Sequence, residues 1–142
     1  MWTYLNGEFI PKEEVRVSPF DRGFLFGDSV YEVIPSYDNK LFLFDEHLER
    51  LKNSLSITNI PIPDPLQDLH PLLMELLKKN QFSNQAIYIQ ITRGVDPVRS
   101  HVSSSTTVPT LFMSSAELEI NPYRGSSYRE GLKVKLEEDI RW

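Results

Sequence analysis

Five side chains in this 142-residue sequence could recognise an anion. They are two phenols, two guanidiniums and an imidazole: Tyr31, Tyr88, Arg50, Arg99 and His101. Such groups bind carboxylate and phosphate, and each sheltered charge-assisted hydrogen bond contributes roughly 1.5–3 kcal/mol. The three histidines are scattered, no thiol is present and no glycine-rich phosphate loop occurs, so metal or nucleophile motifs are not indicated. These residues indicate binding of a small anion.

A loop followed by a strand is predicted to position Tyr31. The stretch SPFDRGFLFGD, residues 18–28, combines two glycines with turn-forming aspartates, which predicts a shaped loop. From Ser29 the side chains alternate, so Tyr31 and Val33 share one face of a strand while Glu32 lies on the other. A similar alternation over 86–93 places Tyr88 on a second strand.

A helix is predicted to carry Arg50. Asp45 is a plausible N-cap, and the helix should run to about Ile57. Its apolar stripe consists of leucines spaced three and four apart: Leu48, Leu51 and Leu55. Arg50 lies beside that stripe at the border of the core, where a guanidinium can reach an anion or simply extend into solvent.

The remaining pattern predicts an α+β fold, a mainly antiparallel sheet with two covering helices. We expect a second helix from an Asp68 cap to about Lys79, with Pro71 in its first turn. Asn6-Gly7 and Asp38-Asn39 should form hairpin turns. Further strands are expected at 3–5, 8–11, 14–17 and 108–114. Residues 1–118 would form this domain, 119–131 a linker, and 132–142 the first strand of another domain.

Composition excludes several classes of function. The 20 acidic and 15 basic residues give a net charge of −5, which argues against nucleic-acid and anionic-membrane partners. The sequence has no cysteine, so disulfide and thiolate chemistry are excluded. The first residues, MWTYLNGEFI, resemble neither a signal peptide nor a membrane span. We expect a cytoplasmic protein.

Two motifs together carry a resemblance to a known family. DRGFLFGDSVYEV and DEHLERL, the latter at 45–51, resemble the N-terminal part of the fold-type IV pyridoxal-phosphate aminotransferases, within them the D-amino-acid (D-alanine) transaminase branch. The resemblance implies that Arg50 binds the cofactor phosphate. It also implies a site for the substrate carboxylate, made by Tyr31, Val33 and Tyr88 together with Arg99 and His101 supplied across a homodimer interface.

The resemblance also implies a division of labour. Pyridoxal-phosphate chemistry needs a lysine that holds the cofactor as a Schiff base. In the family this lysine follows the segment that EEDIRW resembles, so we expect it beyond Trp142. The parent enzyme would transfer an amino group from a D-amino acid to a 2-oxo acid, while these 142 residues alone would be inactive and would not hold the cofactor stably.

Three alternatives stay open from the sequence. A branched-chain L-aminotransferase and an aminodeoxychorismate lyase share the same small domain, and the Arg99/His101 pair favours the D-amino-acid branch over both. A stand-alone small domain that acts as an interaction module is the alternative from outside enzymes.

Overall fold

A single antiparallel sheet with helices on one face forms the fold, and it confirms the α+β prediction. The computed structural model describes residues 1–104, 106–118 and 135–138. Its elements are β1 Trp2–Leu5, β2 Glu8–Pro11, α1 Arg22–Phe26, β3 Ser29–Tyr37, β4 Lys40–Leu41, α2 Phe44–Thr58, α3 Leu69–Asn80, β5 Gln85–Thr92 and β6 Thr110–Glu117. The strand order is β2-β1-β6-β5-β3-β4. Strands β5 and β3 are adjacent, and they place Tyr88 and Tyr31 on neighbouring strands.

The core lies between the sheet and the two long helices. Alternation along β5 buries Ile87, Ile89 and Ile91 completely, while leucines from both helices cover them. The leucines with no more than 1% exposure on these helices are Leu51, Leu55, Leu69, Leu73, Leu76 and Leu77. Burying each such side chain stabilises the fold by about 1.5–3 kcal/mol. This packing fixes α2, and with it Arg50, against β3.

Both predicted hairpins are present, for the expected reason. Asn6 and Gly7 have φ of 47° and 108°, and they join β1 to β2 with Leu5 opposite Glu8. Asp38 and Asn39 have φ of 48° and 59° and join β3 to β4. Two-residue hairpin turns of this kind need positive φ at both positions, which asparagine, aspartate and glycine tolerate best.

The prediction of a third N-terminal strand at 14–17 is wrong. Residues Lys12–Glu14 form a turn of 3-10 helix, and the chain after it joins no strand of the sheet. Arg16 Nη1 donates to the carbonyl oxygens of Glu13 and Val15, each at 2.8 Å. These carbonyls are thus satisfied by a local side chain, and β2 stays the edge of the sheet.

The capping of α2 also differs from the prediction. The helix begins at Phe44, and its N-cap is Leu43 in the left-handed region, with φ of 47°. Asp45 lies in the first turn, where its negative charge is still favourable near the free N–H groups, but it makes no capping hydrogen bond. The tight β4–α2 connection, rather than side-chain capping, therefore sets the start of the helix.

The predicted start of α3 is confirmed. Asp68 is its N-cap residue, although its side chain makes no capping bond, and the helix runs over Leu69–Asn80. Pro71 is the third helical residue, so its missing N–H has no helical acceptor to lose. A turn of 3-10 helix at Asp64–Asp68 precedes it.

The loop before β3 contains a short helix that the sequence pattern did not reveal. Asp21 Oδ1 accepts the N–H of Gly23 at 2.8 Å, and Gly27 closes α1 with φ of 66°.

The predicted linker at 119–131 lies outside the described residues, and so does all of 132–142 except 135–138, which are not part of a strand. Within the described ranges, no helix has both the length and the apolar character needed to cross a bilayer.

Candidate functional site

Tyr31 and Tyr88 form a pair of stacked phenols on the sheet face opposite the helices. In the β3–β5 register Val33 lies opposite Tyr88, so the alternation predicted for both strands puts all three side chains on this face. The two rings are 5.8 Å apart at an interplanar angle of 27°. Tyr31 is 66% exposed, whereas Tyr88 is half-buried and donates from its hydroxyl to Gln90 Oε1 at 3.0 Å.

The phenol of Tyr88 stays protonated at neutral pH. Burial raises its pKa above the ordinary value of 10.0, and the nearby phenol of Tyr31 raises it further because two phenolates would repel each other. A protonated phenol can donate a hydrogen bond, so Tyr88 can support Tyr31 at the surface without adding negative charge.

Glu32, the residue between Tyr31 and Val33, points to the side of the sheet covered by α2 and binds Arg50. Arg50 Nε donates to Glu32 Oε2 at 2.8 Å and its Nη2 donates to Oε1 at 2.6 Å. The same carboxylate accepts the backbone N–H of Val33 at 2.9 Å, and His47 Nδ1 lies 3.0 Å from Oε1. The Glu32 side chain is 4% exposed and that of Arg50 is 66% exposed. A buried carboxylate therefore holds an exposed guanidinium in a fixed, two-bond geometry.

The ionised form of Glu32 is strongly favoured. Burial by itself raises the pKa of this carboxyl, but the hydrogen bonds from Arg50, from the Val33 N–H and from His47, with the Arg50 charge, outweigh it and lower the pKa from 4.5 to about 2. The carboxylate in turn raises the pKa of Arg50. At neutral pH this is a charged pair with one partner buried and one at the surface.

Three of the predicted site residues line one depression. Tyr31, Val33 and Arg50 border an open hollow of 460 Å³, together with Glu32 and Ser54. Glu32 engages Nε and Nη2 of Arg50, and among the described residues no hydrogen-bond acceptor is paired with Nη1. Arg50 Nη1 can therefore donate a hydrogen bond to a phosphate oxygen, because it belongs to a guanidinium that is already oriented.

Arg99 and His101 lie together, but away from that depression. The chain after β5 brings both against the ring of Phe26, with the Arg99 guanidinium carbon 5.1 Å and the His101 ring 5.4 Å from its centroid. Both residues are exposed, and neither is among the residues that line the hollow at Tyr31. Within one copy of the chain, the predicted carboxylate-binding residues therefore form two separate groups.

A larger groove, of 1160 Å³, lies at the other end of the sheet. Its lining includes Trp2, Phe82 and Lys79. The Lys79 ammonium lies 3.5 Å from Glu75 and 4.9 Å from the Trp2 ring centroid, so its charge already has neighbours. The described residues that line this groove include no oriented guanidinium beside a phenol, and we consider the smaller depression the better candidate site.

The sequence reasoning missed Glu32 and His47 as parts of this region. Glu32 lies between two apolar residues on the buried face of β3, and a buried acid requires a cationic partner. Arg50 is that cationic partner, and His47, three residues before it on the same ridge of α2, lies within hydrogen-bond distance of the same carboxylate. The pattern that could have revealed the pair is a glutamate on the buried face of a strand next to a helix ridge that carries an arginine.

Comparisons with known proteins identify the family to which the chain belongs. The model of the family described as amino-transferase class IV matches residues 29–142. The D-alanine aminotransferase of Staphylococcus haemolyticus is 41% identical over 139 residues, covering 98% of this chain and 48% of that protein. The D-alanine aminotransferase of Listeria monocytogenes serotype 4b (strain F2365) is 34% identical over 142 residues, covering all of this chain and 49% of that protein.

Solved structures show the same fold. The branched-chain amino acid aminotransferase of Escherichia coli matches with a TM-score of 0.77 at 22% identity, over 89% of this chain and 42% of that one. The branched-chain aminotransferase of Thermoproteus uzoniensis, solved with norvaline, matches with a TM-score of 0.73, also at 22% identity, over 82% of this chain and 40% of that one. At this identity the likeness concerns the fold alone. The chain spans about half the length of the curated relatives it matches.

Proposed function

Since this chain belongs to the class IV aminotransferase family, we propose that it is the recognition domain of a D-amino-acid aminotransferase that uses pyridoxal phosphate. The enzyme would move an amino group from a D-amino acid such as D-alanine to a 2-oxo acid. The observation that carries this proposal is that Arg50, oriented by Glu32, and Tyr31 border the same depression. A hydrogen-bond donor for a phosphate, Arg50, and one for a carboxylate, Tyr31, then lie at the edge of the same depression.

Arg50 is the proposed ligand of the cofactor phosphate. Pyridoxal phosphate, when bound, supplies the electron sink that lets an amino acid lose its α-hydrogen and exchange its amino group. The Glu32–Arg50 pair contributes a guanidinium that need not reorganise on binding, which lowers the entropy cost of holding the phosphate.

We propose that none of the seven lysines of this sequence is the amine that holds the cofactor. Among the described residues, none that lines the depression at Tyr31 and Arg50 is a lysine. With the 142-residue chain alone, we expect borohydride reduction in the presence of pyridoxal phosphate to give no single stoichiometric adduct by mass spectrometry. A stoichiometric adduct on one lysine would contradict this part of the proposal.

Tyr31, Val33 and Tyr88 are the proposed contacts for the substrate carboxylate and side chain, completed by Arg99 and His101 of a second copy. The geometry supports this division because the Arg99/His101 group is separate from the Tyr31 depression within one copy. A guanidinium, an imidazole and a phenol converging on one carboxylate would provide several hydrogen bonds, and those from the guanidinium are charge-assisted.

A homodimer is proposed on the same ground. The chain neighbours Val98 and Val102 of Arg99 and His101 are 67% and 82% exposed, and Phe24 of α1 is 76% exposed. Exposed apolar patches mark association surfaces, and a second copy would cover Val98 and Val102 while delivering Arg99 and His101. Sedimentation or light scattering should show a dimer, and a strict monomer at high concentration would count against this. The cytoplasmic location stays a prediction.

The test of function is a transamination assay with the protein expressed from its complete reading frame. We expect a strong preference for D-alanine over L-alanine with a 2-oxo acid as acceptor. Arg99→Ala should raise the KM for D-alanine roughly 10–100-fold, the equivalent of one lost charge-assisted hydrogen bond. Arg16→Ala is the matched control, because Arg16 is exposed and, among the described residues, its guanidinium bonds only neighbouring carbonyls.

The outcomes separate this proposal from its alternatives. A preference for L-amino acids would favour a branched-chain aminotransferase, and release of an amine-bearing aromatic product from a chorismate-derived substrate would favour a lyase. Full activity of the Arg99→Ala variant would refute the role of Arg99. Absence of any reaction with cofactor present would favour a non-catalytic interaction module.

A further inference from the structure

Arg22 is a buried guanidinium at the start of α1 that takes no part in the proposed site. It is 4% exposed, its Nε donates to Asp28 Oδ2 at 2.9 Å, and its guanidinium carbon lies 4.8 Å from the centroid of the Phe26 ring. A buried guanidinium is costly unless its donors are paired. Its remaining bonds therefore show what it is placed to hold.

Those bonds go to the backbone next to Arg99 and at His101, two residues of the proposed carboxylate site. Arg22 Nη1 donates to the carbonyl of Ser100 at 2.7 Å, and Nη2 donates to the carbonyl of His101 at 3.1 Å. The side chains of Arg99 and His101 contact the same Phe26 ring that Arg22 covers. One planar group thus fixes both the backbone from which Arg99 and His101 extend and the ring on which they pack.

The partner of Arg22 also ties this loop to the helix that carries Arg50. Asp28 accepts two hydrogen bonds from Arg93, at 2.8 and 3.0 Å. Arg93 in turn donates to the carbonyls of Thr58 and Asn59, at 2.8 and 2.7 Å, where α2 ends. The bonds from Arg93 first, and then from Arg22, lower the pKa of Asp28, so the link stays charged at neutral pH.

We propose that Arg22 is a positioning residue that fixes the Ser100–His101 backbone, so that Arg99 and His101 present their side chains to the substrate carboxylate. This rests on the proposed function. The role requires arginine, because three acceptors (Asp28 and two carbonyls) are met by three nitrogens of one rigid plane, which a lysine ammonium on a flexible stem cannot reproduce.

Arg22→Lys in the protein from the complete reading frame tests this. We expect the KM values for D-alanine and for the 2-oxo acid both to rise about tenfold, with kcat changed by less than about threefold, because both substrates carry the carboxylate. In hydrogen–deuterium exchange, the peptide covering 97–104 should exchange about tenfold faster, while peptides of β5 stay unchanged. Arg16→Lys is the matched control and should alter neither readout.

Two results would overturn the proposal. One is a folded Arg22→Lys protein in which exchange at 97–104 equals that of the wild type. The other is a variant in which kcat falls while both KM values are unchanged, which would assign Arg22 to general stability or to the chemical step.

A second variant covers the case in which Arg22→Lys does not fold. Asp96 Oδ2 lies 3.7 Å from Arg22 Nη1 and accepts the N–H of Ser104 at 3.0 Å, so Asp96→Asn loosens the same loop while the Arg22–Asp28 pair stays intact. It should raise both KM values and speed exchange at 97–104, and unchanged values would refute the proposal. If the wild-type protein does not transaminate D-alanine, the proposed function fails, while the exchange comparison still decides whether Arg22 holds the loop.

Discussion

Replacing Glu32 by glutamine should destabilise the 142-residue chain at neutral pH. A pKa lowered from 4.5 to about 2 corresponds to roughly 3 kcal/mol of stability when the carboxyl is ionised in both folded and unfolded states. Arg50 is 66% exposed, so solvent screening reduces this gain, and we expect a loss of about 1–3 kcal/mol. The glutamine amide would also direct N–H donors at the Arg50 guanidinium, which is itself only a donor.

The pH dependence has a definite sign. The folded-state pKa of Glu32 lies below its unfolded value, so the contribution is fully present above pH 4.5 and is lost as the pH falls toward 2. The difference in free energy of unfolding between wild type and Glu32→Gln should therefore be constant near neutral pH and shrink below pH 4.5. Urea unfolding, followed by fluorescence and circular dichroism at several pH values, measures this difference.

The control is Glu49→Gln on the solvent face of α2. Glu49 is exposed, so its replacement should change the free energy of unfolding by less than about 0.5 kcal/mol at every pH. An unchanged stability of Glu32→Gln at neutral pH would refute the reasoning. So would a loss that persists undiminished at pH 3, roughly midway through the expected transition, because the ionised carboxylate would then not be its source.

Two further predictions concern backbone and core. Gly94 has φ of +102°, and a Cβ there would lie 1.8 Å from the carbonyl oxygen of Val108. Gly94→Ala should therefore lower the free energy of unfolding by about 2–4 kcal/mol. A urea midpoint close to that of the wild type would contradict this. Gln85 is fully buried, and its amide donates to two carbonyls near the end of α3, each at 3.0 Å. Gln85→Leu should lower the free energy of unfolding by about 1–3 kcal/mol. Faster amide exchange in the last turn of α3 is the specific readout.

The sequence alone determined the local pieces. Alternation placed Tyr31 and Val33 on one face of a strand and Tyr88 on a second strand. The β3–β5 register puts all three side chains on the same side of the sheet. Hairpin turns at residues that tolerate positive φ and leucine stripes on two helices were equally predictable, because these signals involve neighbours along the chain. The extra strand at 14–17 was wrong because pairing depends on an available neighbour as well as on pattern.

Only the tertiary structure decided which charges meet. Glu32 and Arg50 are 18 residues apart, and Arg22 lies 78 residues from Ser100, so no local period relates them. Their contacts follow from the strand order and from the packing of α2 on β3, and burial then forces each charge to find a partner. Residue types and spacing could therefore single out Arg50, Arg99 and His101 as candidate anion-binding residues, whereas their contacts with Glu32 and Arg22 became visible only when distant segments were packed together.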